Sequence, residues 1–185
     1  MNKKLALIGF ALAAFMSTAA MAADYGYGSE PDYGGLYLGA SAGEVFYNEE
    51  GLGTMSPTIV LFRVGEQFSP YLAIEGRIGT NVRGDWSRGF HVDTQALYAG
   101  YAKGILPFSP WLSGYAIAGI AGVQFHRNYP DFNSNDTGLS FGVGTEFYLG
   151  GGASLNLEWA RLTSGTNAGY DYTADQLTFG VNWRL

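Results

Sequence analysis

The chain is 185 residues long, has no cysteine and carries a formal net charge of −6. The missing cysteines exclude disulfides and thiolate metal sites, and a nucleic-acid partner would call for the opposite charge balance. The 28 glycines, 13 tyrosines, 12 phenylalanines and 4 tryptophans favour strands over helices.

In chain order, Lys3 and Lys4 precede an apolar stretch from Leu5 to Phe15, and Ala20-Met21-Ala22 offers small residues at a cleavage site. This pattern predicts a signal peptide over residues 1–22. Its removal leaves Lys103 and seven arginines against sixteen acids. No polybasic segment remains to hold an anionic leaflet. Residues 23–34 (ADYGYGSEPDYG) read as a flexible lead. The most apolar stretch beyond it, Tyr115 to Val123, is interrupted by Gly119 and Gly122. It falls short of the roughly 18 apolar residues that a membrane helix needs, so any span must be made of strands.

Eight strands are expected, at 35–47, 57–66, 71–80, 92–103, 111–125, 137–149, 153–163 and 174–185. Period two is clearest in the last three, where Leu139, Phe141, Val143 and Phe147 alternate with Ser140, Gly142, Gly144 and Glu146. Alanine and glycine occupy both faces of the fourth and fifth strands and leave their facing open. Short connections fall near Gln67–Pro70, Gly104–Pro110 and Gly150–Gly152, and longer polar ones near 48–56, 81–91, 126–136 and 164–173. Alternating short and long connections predict an all-β, eight-stranded antiparallel up-and-down transmembrane β-barrel over residues 35–185. A soluble barrel or sandwich would show the same alternation with its apolar face turned inward.

In the membrane register Arg63, Glu75, Arg77, Glu146 and Glu158 point inward. Eight strands leave a lumen that side chains fill, so these charges are expected to form one ion-pair network, Arg63 and Arg77 against the three glutamates. That network plugs the barrel or, in a second reading, lines a conduit. Aromatic girdles are expected at the two interfaces: Tyr37, Tyr71, Tyr101, Trp111, Phe147 and Trp183 at one end, Phe46, Trp159 and Tyr172 at the other. Arg161 and Arg184 are expected at the rims.

The ending Thr178-Phe179-Gly180-Val181-Asn182-Trp183-Arg184-Leu185 alternates apolar and polar to the last residue. Through Thr178, Gly180, Trp183 and Leu185 it resembles the C-terminal assembly signal of bacterial outer-membrane barrels, with Leu185 in place of the commoner phenylalanine. With Gly35-Leu36-Tyr37-Leu38-Gly39-Ala40, Leu72-Ala73-Ile74-Glu75-Gly76-Arg77 and Leu155-Asn156-Leu157-Glu158-Trp159-Ala160-Arg161, it makes residues 35–185 similar to the small outer-membrane β-barrel family. That family includes the transmembrane domain of outer-membrane protein A, OmpX-like proteins and opacity-type surface antigens. The resemblance implies an outer-membrane location with both termini periplasmic, contacts with outer-membrane lipid and lipopolysaccharide, and insertion by the barrel-assembly machinery. It does not imply one activity.

For catalysis, the two histidines, His91 and His126, lie in no nucleophile–base pattern of the kind found in lipid A-modifying barrels. His91, Asp93, His126 and Asp131 have no fixed ligand spacing for a metal. The 131–136 segment lacks the glycine and closing glutamate of a calcium loop, and no phosphate-binding glycine loop is present. The expectation is a non-enzymatic monomer without cofactor or metal. Its working surface is four extracellular loops carrying Trp86, Arg88, Phe90, Tyr129, Phe132 and Tyr170, suited to a surface partner. A small pore and a lipid A-modifying enzyme are the alternatives.

Overall fold

The computed structural model describes residues 35–49, 53–83, 85–87, 90–128, 131–167 and 170–185. The expected signal peptide and lead, residues 1–34, lie outside them. Ten strands follow in order: β1 (Gly35–Glu49), β2 (Gly53–Met55), β3 (Thr58–Ser69), β4 (Leu72–Arg83), β5 (Asp85–Ser87), β6 (Phe90–Ser109), β7 (Leu112–Asn128), β8 (Asp131–Gly150), β9 (Ala153–Asn167) and β10 (Tyr170–Arg184). Eight are long and form a closed antiparallel barrel, each paired with its chain neighbour. The barrel closes between β1 and β10, from Tyr37↔Arg184 to Glu49↔Tyr172. β2 and β5 are short strands that extend the hairpins at the loop end.

One end carries three tight turns: Pro70–Tyr71, Pro110–Trp111 and Gly151–Gly152. The chain enters and leaves the barrel at this same turn end, where Leu185 N donates to Leu36 O at 2.9 Å. Gly150, Gly151 and Gly152 all have positive φ (87°, 60° and 76°), a backbone that only glycine adopts without strain. The sequence places a seven-residue connection at Gly104–Pro110, but β6 runs on to Ser109. Its last positions, Ile105 to Phe108, alternate between faces, and the ladder continues through an irregularity after Pro107 to Ser109↔Leu112. At the loop end β7 and β8 remain paired to Asn128↔Asp131, so strands occupy much of what reads as loop. Polar turn-forming sequence there does not prevent pairing, because hairpin partners are already aligned by the barrel below.

The facing of the strands decides between membrane and soluble barrels. Leu139 is 82 % exposed, and Phe62, Ile78, Ile120, Val143 and Leu157 are also turned outward, whereas Glu158 is fully buried. The apolar stripes therefore look away from the barrel and the mid-strand charges look into it. Strands of 12 to 20 residues exceed the roughly 9–11 that span a bilayer.

Tyrosine and glycine fix the register locally. Tyr37, Tyr98, Tyr115 and Tyr172 stand directly opposite Gly65, Gly122, Gly144 and Gly165. A Cβ at any of these four glycines would meet the facing tyrosine ring. The ring lies flat over the missing side chain and reaches the next strand: Tyr37 to Glu75, Tyr115 to Glu158 and Tyr98 to Thr137. Gly65→Val should therefore unseat Tyr37 and cost about 1–3 kcal/mol. The check is the urea unfolding midpoint in detergent micelles. Adding Tyr37→Ala should cost less than the sum of the two single losses.

Candidate functional site

The lumen is packed in layers. Nearest the turn end, Lys103 Nζ donates to Glu146 Oε2 at 2.8 Å. The other carboxylate oxygen of Glu146 accepts from Ser154 (2.5 Å) and Asn182 (2.9 Å). The ammonium of Lys103 also lies against two rings, 4.2 Å from the centroid of Tyr115 and 5.6 Å from that of Tyr37. Close by, Arg184 Nη2 donates to Gln67 Oε1 at 2.7 Å.

At mid-height lies the second layer. Arg77 grips Glu158 through two parallel hydrogen bonds, Nη1 to Oε1 at 2.5 Å and Nη2 to Oε2 at 2.8 Å. Its Nε donates to Glu75. Glu75 accepts from Tyr37 at 2.7 Å and Glu158 from Tyr115 at 3.0 Å. The Arg77 guanidinium lies 4.7 Å from the Tyr101 centroid, and Tyr101 in turn is hydrogen-bonded to Ser140 at 2.8 Å. Arg63 approaches Glu75 at 3.8 Å and Glu158 at 4.0 Å. Its one hydrogen bond given by Nη2 goes to Ser41 Oγ at 2.8 Å, and its Nε and Nη1 have no hydrogen-bond partner among the described residues. Three cations thus face three carboxylates, all side chains under a tenth exposed. Such charges persist away from water only when paired and hydrogen-bonded.

Toward the loop end the lining becomes apolar. Val45, Ile59, Leu61, Leu97, Val123, Leu162 and Ala174 pack on one another, each at most 2 % exposed. Leu162 enters this plug at the irregularity where β9 steps out of register with β10 between Ala174 and Asp175. Tyr47 and Tyr172 stack beside it, ring centroids 5.9 Å apart.

The five charged residues singled out in the sequence all line the lumen; Arg63 and Arg77 meet Glu75 and Glu158 as expected, and only the partner of Glu146 differs. Arg63 stands directly opposite Arg77, and Glu75 lies opposite Gly65. The two like charges are tolerated because Glu75 and Glu158 both approach the pair. Glu146 takes Lys103 instead of an arginine, since it lies lower, level with Asn156 and Ser113. Lys103 went unnoticed because the facing of its Ala- and Gly-rich strand is ambiguous in sequence.

Three girdle assignments are overturned. Tyr37, opposite Gly65 and two positions from the Gly39↔Arg63 pair, faces the lumen. Tyr101, opposite Glu75, does the same. Tyr172 shares the inward parity of Ala174 and Gln176 and is 8 % exposed. Tyr71 and Trp111 are exposed at the turn end, where Trp111 stacks on Phe147 at 6.5 Å. Trp159 packs edge-on to Phe141 on the outer wall. Arg161, beside Trp159, is held by a bidentate pair with Asp175 at 2.8 and 3.0 Å. In the C-terminal strand, Thr178 and Gly180 face the lumen, Trp183 is half-buried and Leu185 is exposed. Of the four residues considered for metal or base chemistry, Asp93 and His126 are cross-strand partners in the β6–β7 ladder. His91 pairs with Trp86 and Asp131 with Asn128.

The family model described as "Outer membrane protein beta-barrel domain" matches residues 8–184. The chain belongs to that family of bacterial outer-membrane barrels. Among solved structures, neisserial surface protein A (NspA) superposes with a TM-score of 0.60 at 15 % identity, covering 81 % of this chain and 97 % of its own. Ail, the attachment invasion locus protein of Yersinia pestis, solved with the heparin analogue sucrose octasulfate, gives 0.57 at 14 % identity, covering 81 % and 99 %. The N-terminal β-barrel domain of Pseudomonas aeruginosa OprF gives 0.56 at 12 %, covering 82 % and 99 %. At these identities the likeness is one of fold. No curated protein matches the sequence.

The two arginines should not contribute equally. Arg77→Met leaves Glu158 and Glu75 without their hydrogen-bonded cation and should destabilise the barrel by about 3–5 kcal/mol. Arg63→Met removes longer contacts and should cost clearly less. Urea midpoints followed by tryptophan fluorescence in micelles measure both, and equal losses would contradict the geometry.

Proposed function

We propose that this protein is a closed, non-catalytic barrel of the outer membrane whose role is exercised at its surface. The observation that carries this reading is the filled lumen. Two ion-pair layers lie beneath an apolar plug whose residues are almost fully excluded from solvent. A conduit for ions or solutes would need water along its length, and Leu61, Leu97 and Leu162 occupy that space. Purified protein in planar bilayers is therefore expected to show no steady conductance. Reproducible unitary steps in the native state would return the pore reading to first place.

The turn end, with both termini, is taken as periplasmic and the longer connections as extracellular, in line with short turns and long loops in barrels of this kind. The loops, with Trp86, Arg88, Phe90, Tyr129, Phe132 and Tyr170 in sequence, are read as the surface that meets lipopolysaccharide sugars or an extracellular partner. Ail, with its bound heparin analogue, is a precedent for a surface ligand on this fold and names no ligand for this chain. Replacing the long connections by short turns should leave insertion intact and remove any cell-attachment phenotype. Attachment that survives the replacement would reject the loop role. Lipid A that keeps the same acylation pattern in cells with and without the protein is the outcome expected of a non-enzyme.

Thr178, Gly180, Trp183 and Leu185 are read as the signal through which the assembly machinery receives the chain. Trp183→Ala with deletion of Leu185 should lower the amount of heat-modifiable protein in outer-membrane fractions severalfold. It should leave folding of the purified chain into micelles largely unaffected, since neither side chain belongs to the lumen packing.

A further inference from the structure

The ion pairs of this barrel lie in its lumen, with one exception among the described residues: Arg161 and Asp175 meet on the outer wall. Arg161 shares the outward parity of Leu157 and Trp159 on β9, and Asp175 that of Leu177 on β10, while the neighbouring Ala160, Ala174 and Gln176 are buried. The two are cross-strand partners, set side by side just below the step in register between Ala174 and Asp175. Apolar wall continues on both sides of them. Leu157 and Leu177 are exposed toward the turn end. Toward the loop end Leu139, two positions beyond the rung that joins Phe141 to Arg161, is 82 % exposed. Counted along β10 from Trp183, Asp175 stands about 21 Å up the membrane normal, at roughly 3.4 Å per residue and a tilt of about 40°, within an apolar band about 25 Å tall.

Ionisable groups at such a depth are costly on a lipid-facing wall, and as a rule they turn to an interior or to a partner. This pair is satisfied on one side only. Arg161 gives Nε and Nη2 to the two carboxylate oxygens of Asp175 at 2.8 and 3.0 Å, and its Nη1 gives no hydrogen bond among the described residues. The arginine side chain remains 33 % and the aspartate side chain 20 % exposed. A guanidinium has about five donors and a carboxylate about four acceptor sites, so both groups keep unused capacity on the side turned to lipid. Hydrocarbon cannot use that capacity, but a copy of the same wall can. When two barrels stand in one membrane about a two-fold axis along its normal, left and right exchange across the contact, and Arg161 of each copy meets Asp175 of the other. Glu44, half-buried and outward on β1 beside Leu177, adds an acceptor on the side where the second guanidinium arrives.

We infer that the β9–β10 wall is the contact face of a two-fold homodimer, closed by a cycle of alternating Arg161 and Asp175 side chains from the two copies. The inference goes beyond the surface role proposed above and needs neither a closed lumen nor a loop partner, so its failure leaves that reading untouched. The test exploits the absence of cysteine from the chain. The whole chain is expressed with one reporter, Leu177→Cys beside the pair or Ile78→Cys across the barrel, and outer-membrane fractions are oxidised with copper phenanthroline. Disulfide-linked dimer is expected with the Leu177→Cys reporter and only weakly with Ile78→Cys. Adding Arg161→Asp or Asp175→Arg alone should lower the yield at the first reporter about tenfold, equivalent to about 1.4 kcal/mol. Co-expressing those two variants should restore it, because one copy then supplies both acids and the other both cations. An ion pair that serves only its own barrel gives no such rescue. Heat-modifiable migration reports folding, and Arg161→Gln combined with Asp175→Asn stands in for a single swap that does not fold, with the same loss expected. Equal cross-linking at the two reporters, single swaps without effect, or no rescue between folded variants would overturn the proposal. So would native mass spectrometry showing single wild-type copies with a bound lipid A that Arg161→Asp releases, because that assigns the pair to a lipid phosphate.

Discussion

Closing eight strands around a narrow axis forces every inward side chain into shared space with seven other strands. That constraint governs the rest of this structure. Charges on the inner face have no water to retreat to, so Arg63, Arg77 and Lys103 must be matched by Glu75, Glu146 and Glu158. The matching is by hydrogen bond as well as by charge. Glu146 and Glu158 are each surrounded by neutral donors in addition to their cation. The network adds specificity more certainly than net stability, because a buried pair repays little beyond its own desolvation.

The same crowding explains the tyrosine–glycine pairs of the lumen. Long side chains inside a small barrel cannot all point to the axis, so some must lie along the wall. A glycine opposite provides the flat ground, and the strand beyond supplies the polar group that the phenol reaches. Tyr37 over Gly65 to Glu75 and Tyr115 over Gly144 to Glu158 tie the wall to the ionic layer. Above that layer the apolar plug fills the lumen, and the surfaces left accessible are the loop ends, the interfacial aromatics and the lipid-facing wall.

Much of the architecture was legible along the chain. Strand count, the tight turns after Ser69 and at Gly150–Gly152, and the outward facing of β8 and β9 follow from period-two alternation, where one face is plainly apolar. The inward set Arg63, Glu75, Arg77, Glu146 and Glu158 follows from the same parity. Legibility failed where both faces carry similar residues. In β6, Tyr98, Gly100 and Ala102 face lipid while Ala99, Tyr101 and Lys103 face the lumen, and neither set looks more apolar than the other. In β3, Ile59 and Leu61 point in while Val60 and Phe62 point out, so the plug is invisible to alternation.

By itself, then, the sequence determined that the chain forms eight antiparallel strands and which charges share a face, because alternation and turn chemistry are local properties, while the outward turn of the apolar face came from the closed barrel. Tertiary structure alone decided who pairs with whom. Register across β3–β4 and β6–β8 puts Arg63 opposite Arg77, gives Glu146 to Lys103 and turns Tyr37, Tyr101 and Tyr172 inward. These outcomes depend on the stagger at which eight strands close, and no single strand carries that information.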